Sequence, residues 1–142
     1  MTPSLREVGL SVKRLQWRHH RLANERLAGL GVSLVQWDVL RHLGEQPGAS
    51  LHALAELTFQ TDQSMGTLAT RMIQRDLIER VDGPGRAVRH RLTAHGSEVR
   101  EAGAGIVDEV LAESIGRLSA GERAELHRLL LRAGESPAGE EL

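Results

Sequence analysis

Between Ser50 and Leu92 the sequence sets two short capped helical stretches beside two alternating runs that meet at a Gly-Pro-Gly tip. Few folds accommodate that order. Ser50 predicts the N-cap of a helix over 51–57, because its hydroxyl can accept from the unpaired amides of the first turn. After a break of about three residues Thr61 predicts a second cap. The helix it opens carries Met65, Leu68, Ala69 and Met72 as one stripe at helical spacing. Gln63, Ser64, Thr67, Thr70, Arg71 and Gln74 lie largely away from that stripe. A short helix, a tight turn and a second helix with a polar outer face is the helix-turn-helix plan. Next, the runs 77–81 and 87–92 flank Asp82-Gly83-Pro84-Gly85-Arg86 and predict a β-hairpin. Alternation puts Val88, His90 and Leu92 on one face of the return strand. Arg89 and Arg91 then share the other, in solvent beside the second helix.

The flanks are helical. Leu5, Val8, Val12, Leu15, His19 and Leu22 step by three and four, predicting one long helix that Gly29 and Gly31 end. Ser33 with Gln36 is a capping box for a helix running to about Gly44, and Gln46-Pro47-Gly48 is a turn. Thr93 predicts a long helix to about Arg117, weakened locally by Gly96, Gly103, Gly105 and Gly116. Ser119 with Glu122 opens a last helix whose apolar stripe is Leu126, Leu129, Leu130 and Ala133. Residues 134–142 read as a flexible tail. The fold class is mainly α with a small β-wing.

Several chemistries are excluded. The 142 residues contain no cysteine, so disulfides, thiol nucleophiles and Cys-zinc sites drop out. No apolar run approaches the roughly 18 residues of a membrane span, and residues 1–10 lack the pattern of a secretory signal. A cytoplasmic location is the expectation. No phosphate loop, dinucleotide fingerprint, Gly-x-Ser-x-Gly or zincin motif occurs, so an enzyme is not expected and nothing asks for a cofactor. Seven histidines occur, none paired at the i, i+4 spacing that makes a helical metal site. The net charge of −1 conceals a division along the chain. Residues 1–60 and 61–95 carry +2 each, and 96–142 carry −5, an asymmetry that fits a polyanion-binding face.

Five stretches in this order resemble the multiple antibiotic resistance regulator (MarR) family of winged-helix transcription factors. They are Gln36-Trp37-Asp38-Val39-Leu40, Pro47-Gly48-Ala49-Ser50-Leu51 with Leu54-Ala55, Arg75-Asp76-Leu77-Ile78-Glu79-Arg80, Arg86-Ala87-Val88, and Leu92-Thr93-x-x-Gly96. The resemblance covers about residues 10–133. Two positions depart from the family pattern. Pro84 stands where the wing tip usually has Asp, so Arg86 has to be oriented differently, by the stiff Gly-Pro-Gly turn. Asp76 stands where a helix-ending Gly is usual, and Asp tolerates the left-handed conformation better than most residues.

The resemblance implies a winged helix-turn-helix lobe over 31–93, dimerisation helices over 1–30 and 94–133, and a homodimer on double-stranded DNA. The outward helix suits the major groove: Gln63 pairs with adenine, Arg71 with guanine, and Ser64 or Thr67 with either. Thr70 shares that face. Arg86 at the wing tip is placed to enter the minor groove, Arg89 and Arg91 to lie beside phosphates, and the helix ends at Ser50 and Thr61 to touch phosphate through free amides. Family members are often released from DNA by a small, commonly aromatic effector, for which Trp17, His19, His20 and Trp37 are the candidate pocket residues. Core packing is the plainer reading of both tryptophans, and an interface role that of His19. The competing readings are a helical protein-interaction module with a degenerate DNA face and a metal-responsive regulator.

Overall fold

The computed structural model of the protein describes residues 1–81, 85 and 88–135. The chain forms two units, Met1–Val107 and Asp108–Leu142. In the first, α1 (Leu5–Leu27) opens on a capping box that its apolar seam does not announce. Ser4 Oγ accepts from the Glu7 amide at 3.1 Å, and Glu7 Oε2 accepts from the Ser4 amide at 2.6 Å. The buried residues of α1 are Ala23 and Leu27, near its end, while Leu5, Val8 and Val12 are exposed. A 3-10 turn, Ala28–Leu30, and Gly31 at φ 79° redirect the chain. The expected Ser33/Gln36 capping box then opens α2 (Leu34–Glu45), whose Gln36, Trp37, Val39, Leu40, His42 and Leu43 are buried.

The middle of the chain follows the expected plan. α3 (Leu51–Leu57) and α4 (Asp62–Gln74) form the helix-turn-helix, capped by Ser50 and Thr61. β1 (Ile78–Val81) and β2 (Arg89–Leu92) pair antiparallel with Ile78 opposite Leu92, Glu79 opposite Arg91, Arg80 opposite His90 and Val81 opposite Arg89. The core is shared by these pieces: Leu27, Leu40, Leu43, Leu54, Met65, Met72, Leu77 and Ile78 are fully buried. Burying each such side chain contributes about 1.5–3 kcal/mol, so the helix-turn-helix and the root of the wing are held by the same apolar cluster as α2.

α5 (Ala94–Ala112) departs from expectation in where it ends. Its glycines do not interrupt it, and two have packing reasons. A Cβ on Gly96 would lie 1.9 Å from the Leu77 carbonyl oxygen, and one on Gly103 would lie 2.3 Å from Cδ1 of Trp37. The helix stops at Ala112 rather than near Arg117. The Ser114 amide switches to an i−3 bond with Leu111, and a separate 3-10 turn, Ile115–Arg117, follows. Leu118 is extended, which sets Ser119 in place to cap α6 (Ala120–Ala133) with Glu122. In this second unit Leu126 is half-buried and Leu129, Leu130 and Leu131 are exposed. Residues 136–142, most of the expected tail, lie outside the described residues.

Candidate nucleic-acid interface

α4 is anchored by what it buries and free on what it shows. Met65, Ala69 and Met72 are buried; Gln63, Ser64, Thr67, Thr70 and Arg71 are at the surface. The turn before it is fixed from inside by Thr58, whose buried hydroxyl donates to the Leu54 carbonyl at 2.7 Å. Thr61 Oγ1 accepts from the Ser64 amide at 3.1 Å and donates to Ser64 Oγ at 2.9 Å. Gln60, Gln63, Ser64, Thr67, Leu68 and Arg71 line one open groove.

Hydrogen bonding sorts the outer face further than sequence could. Thr67 Oγ1 donates back to the Gln63 carbonyl at 3.2 Å and Thr70 Oγ1 to the Gly66 carbonyl at 3.1 Å. Both threonines therefore present a methyl group and oxygen lone pairs outward, with the hydroxyl proton already committed. Arg71 has no ion pair among the described residues, so its fork of donors is available. Gly66 leaves room for a methyl group, since the nearest atom to an added Cβ is Leu51 Cδ2 at 3.9 Å.

The wing arginines divide in the same way. Both Arg89 and Arg91 are exposed, as alternation requires. Arg91 Nε is 2.6 Å from Glu79 Oε1, its cross-strand partner, so much of its charge is compensated. Arg89 donates through Nη1 to the Gly48 carbonyl, and its backbone bridges to Ser50. With Leu51 N donating to Val88 O at 3.3 Å, these contacts tie β2 to the start of α3. Arg86 and Pro84 lie outside the described residues. Exposed Arg80, absent from the sequence reading of the site, has no ion pair among the described residues.

A second group that sequence reasoning missed sits on the helix-turn-helix itself. His52 of α3 places Nδ1 2.8 Å from Asp62 Oδ1 and Nε2 3.0 Å from Glu56 Oε1. Asp62, as hydrogen-bond partner and as charge, raises the His52 pKa above the ordinary histidine value, with Glu56 adding to it. The His52–Glu56 i, i+4 spacing is legible in sequence, whereas the ten-residue reach to Asp62 needs the fold.

The four candidate effector residues are not equivalent. Trp17 is exposed, not core-packed, and stacks on His20 at 5.8 Å with planes 19° apart. His20 Nε2 lies 3.0 Å from Asn24 Nδ2. Half-buried His19 has its pKa lowered by burial, then by Arg18. Trp37 is built into the core: its indole N–H donates to the Arg100 carbonyl at 3.0 Å, Gly103 lies against its ring, and Arg41 sits 6.0 Å from the ring centre. None of the four lines the open hollow formed by Asn24, Ala28, Gly31, Val32, Ser33, Gln36 and Arg75. No group of three or more His, Asp or Glu suited to a metal ion occurs among the described residues, and no described helix is long and apolar enough to cross a membrane.

A profile of the MarR family matches residues 30–87, which hold α2, the helix-turn-helix and β1. The Escherichia coli O111:H- transcriptional regulator HosA is 35% identical over 99 residues, covering 68% of this chain and 73% of HosA. The chain belongs to the MarR family. As a MarR-family protein it is a DNA-binding transcriptional regulator and not an enzyme. The fold agrees: a structure of mutant MarR from E. coli complexed with operator DNA matches at TM-score 0.82, with 21% identity, 94% of this chain and 100% of that one. The Mycobacterium tuberculosis MarR family protein Rv2887 in complex with p-aminosalicylic acid matches at TM-score 0.74, with 26% identity and coverage of 94% and 100%. The same protein in complex with DNA matches at TM-score 0.75, with 25% identity and the same coverage.

Proposed function

We propose that this MarR-family chain is a cytoplasmic repressor that binds a pseudopalindromic operator as a homodimer and is released by a small effector. The observation that carries the DNA reading is the state of the α4 face. Among the described residues neither the Gln63 side chain nor the Arg71 guanidinium has a hydrogen-bond or ion-pair partner, and both stand at the surface of a helix that buries Met65, Ala69 and Met72 on its other side. Gln63 would read adenine and Arg71 guanine, while Ser64, Thr67 and Thr70 offer oxygen lone pairs, and the two threonines a methyl group each, to neighbouring base edges. Arg86, Arg89, Arg91 and the capped helix ends at Ser50 and Thr61 would set register on the phosphates and minor groove. Residues 31–93 form the reading lobe in this proposal, and 1–30 with 94–133 supply the dimer. The exposed Leu5, Val8, Val12, Leu129, Leu130 and Leu131 support that division. Two recognition helices about 34 Å apart then meet successive major grooves.

The effector is an aromatic acid in this proposal, by analogy with the Rv2887 complex. Release requires it to bind one separation of the recognition helices better than another, since equal affinity shifts nothing. Trp17 with His20, both reachable from solvent, is the better-placed part of the candidate set, because Trp37 is already satisfied in the core.

The test selects a duplex from a randomised pool and follows its binding by fluorescence anisotropy against scrambled competitor, over a range of salt and with added p-aminosalicylic acid. Competitor-resistant binding that weakens with salt, and weakens again with the acid, supports the whole reading. Selected and scrambled duplexes binding alike would remove sequence-specific reading and favour a protein-interaction module. Specific binding untouched by the acid would remove that effector alone.

A further inference from the structure

Both helices of the helix-turn-helix end in the same cap, and one of the two is occupied by the wrong kind of residue. At the end of α4, Leu77 N donates to Met72 O at 3.0 Å and Asp76 N to Ile73 O at 3.0 Å, with Asp76 at φ 58°. At the end of α3, Gln60 N donates to Ala55 O at 2.8 Å and Phe59 N to Glu56 O at 3.3 Å, with Phe59 at φ 57°. This six-residue cap needs a left-handed residue, which glycine supplies without steric cost. Asp is among the residues that tolerate the conformation; a bulky aromatic is an outlier there. Phe59 is 93% exposed, so packing within the chain does not offset the strain. The fold would accept glycine at 59 and gains nothing from the ring.

We infer that Phe59 is a specificity-determining DNA contact whose ring meets the 5-methyl group of a thymine in the major groove. This rests on the DNA-reading proposal above and deepens it. Phe59 stands two residues before Thr61, the cap of α4. Its neighbour Gln60 lines the same groove as Gln63, Ser64, Thr67 and Arg71. In a helix-turn-helix the N-terminal end of the second helix points at the base edges, so the turn that leads into it lies at the lip of the groove. The thymine methyl is the apolar group that the major groove presents, and aromatic side chains match it. A protein partner would ask for an apolar surround, whereas Gln60, Thr61, Gln63 and Ser64 give Phe59 polar neighbours that suit base edges and phosphates.

The experiment uses the full-length protein and the duplex selected from the pool, with each thymine replaced in turn by deoxyuridine, which removes the methyl group alone. The wild type is expected to lose about fourfold in affinity at one thymine per half-site, the worth of one buried methyl group. Phe59→Gly is expected to bind the unsubstituted duplex about fourfold more weakly per half-site, to be indifferent to deoxyuridine at that position, and to melt no lower than the wild type. Phe59→Ala, which removes the ring while keeping a side chain, should show the same indifference. A deoxyuridine profile unchanged in both variants, or flat in the wild type, overturns the inference, as does loss of self-association in place of loss of methyl discrimination. Should the wild type fail to prefer the selected duplex over a scrambled one, the DNA-reading proposal itself falls, a result distinct from either of those.

Discussion

The carbonyl oxygen of Leu77 fills the space that a Cβ on residue 96 would need, 1.9 Å from its ideal position. Leu77 is fixed on both sides: its amide donates to Met72 O at 3.0 Å, and that same carbonyl accepts from Thr93 N at 3.2 Å. Thr93 Oγ1 in turn donates to Asp76 O at 2.5 Å and accepts from Gly96 N at 2.9 Å. The end of α4, the root of the wing and the start of α5 thus meet through backbone atoms that have no rotamer to yield. Gly96→Ala is expected to destabilise the fold by about 2 kcal/mol, within the usual cost of overpacking. Gly105→Ala on the same helix meets nothing within 4 Å and should stabilise it by roughly 0.5–1 kcal/mol. Urea unfolding of the two variants reads the contrast; shifts of the same sign would show that helix propensity, not the Leu77 contact, sets the cost at 96.

The arginines of the interface should separate by what each is already bonded to. Arg71→Ala is expected to relax base preference at one position per half-site, because it removes a bidentate donor that has no ion pair among the described residues. Arg89→Ala should weaken all sequences alike. Arg91 is held by Glu79 at 2.6 Å, so Glu79→Gln is expected to release it toward phosphate, raising affinity and steepening the salt dependence. Anisotropy titrations at several salt concentrations on selected and scrambled duplexes distinguish the three. An unchanged slope for Glu79→Gln would mean that Arg91 stays clear of the backbone.

Two histidines give the lobe opposite responses to pH. His52 reaches Asp62 and Glu56 with its two ring nitrogens, and both contacts are donating only when the ring is a cation. Its pKa is raised, chiefly by Asp62, so the tie between α3 and α4 is present below the ordinary value of 6.5 and is lost as pH rises through the raised value. His90 is buried at the wing, its Nδ1 has no hydrogen-bond partner among the described residues, and burial followed by Arg80 lowers its pKa. Its contribution is present above 6.5 and is lost as pH falls toward the lowered value. Histidine ring resonances followed by NMR should titrate above 6.5 for His52 and below it for His90. In Asp62→Asn the His52 midpoint should fall. A His52 midpoint unmoved by that substitution would remove Asp62 as its cause.

Where the sequence is legible, local chemistry is strong. Ser33/Gln36, Ser50, Thr61 and Ser119/Glu122 announce their helices because a cap is a contact over three residues, and each forms as expected. The strand alternation also survives, with His90 buried between exposed Arg89 and Arg91. Contacts over long sequence separations are not legible. Arg89 to Gly48 spans 41 residues, Trp37 to Arg100 spans 63, and neither has a local signature. The glycines of α5 illustrate the difference. Propensity marks Gly96 and Gly103 as weak points, while the packing of Leu77 and Trp37 makes them necessary. Phe59 gives no signal in sequence, because a left-handed turn residue is recognisable when it is Gly or Asn, and its φ of 57° is a property of the fold.

The surface of α1 carries the last prediction. Leu5, Val8 and Val12 lie at three- and four-residue steps and are exposed along a helix whose buried residues are Ala23 and Leu27. A monomer would leave this stripe in water, and a two-fold axis along it would bring each residue near its own copy. Val12→Glu would then set like charges close together while disturbing nothing within the chain, since Val12 is already exposed. Sedimentation should report half the wild-type mass with an unchanged helical circular-dichroism spectrum. Affinity for a two-half-site duplex should fall by about a hundredfold or more, because each lobe would bind without the effective concentration its partner provides. Binding to a single half-site should barely change. A Val12→Glu protein that keeps the wild-type mass would move the dimer seam off this stripe and leave Leu129, Leu130 and Leu131 of α6 as the surface to test next.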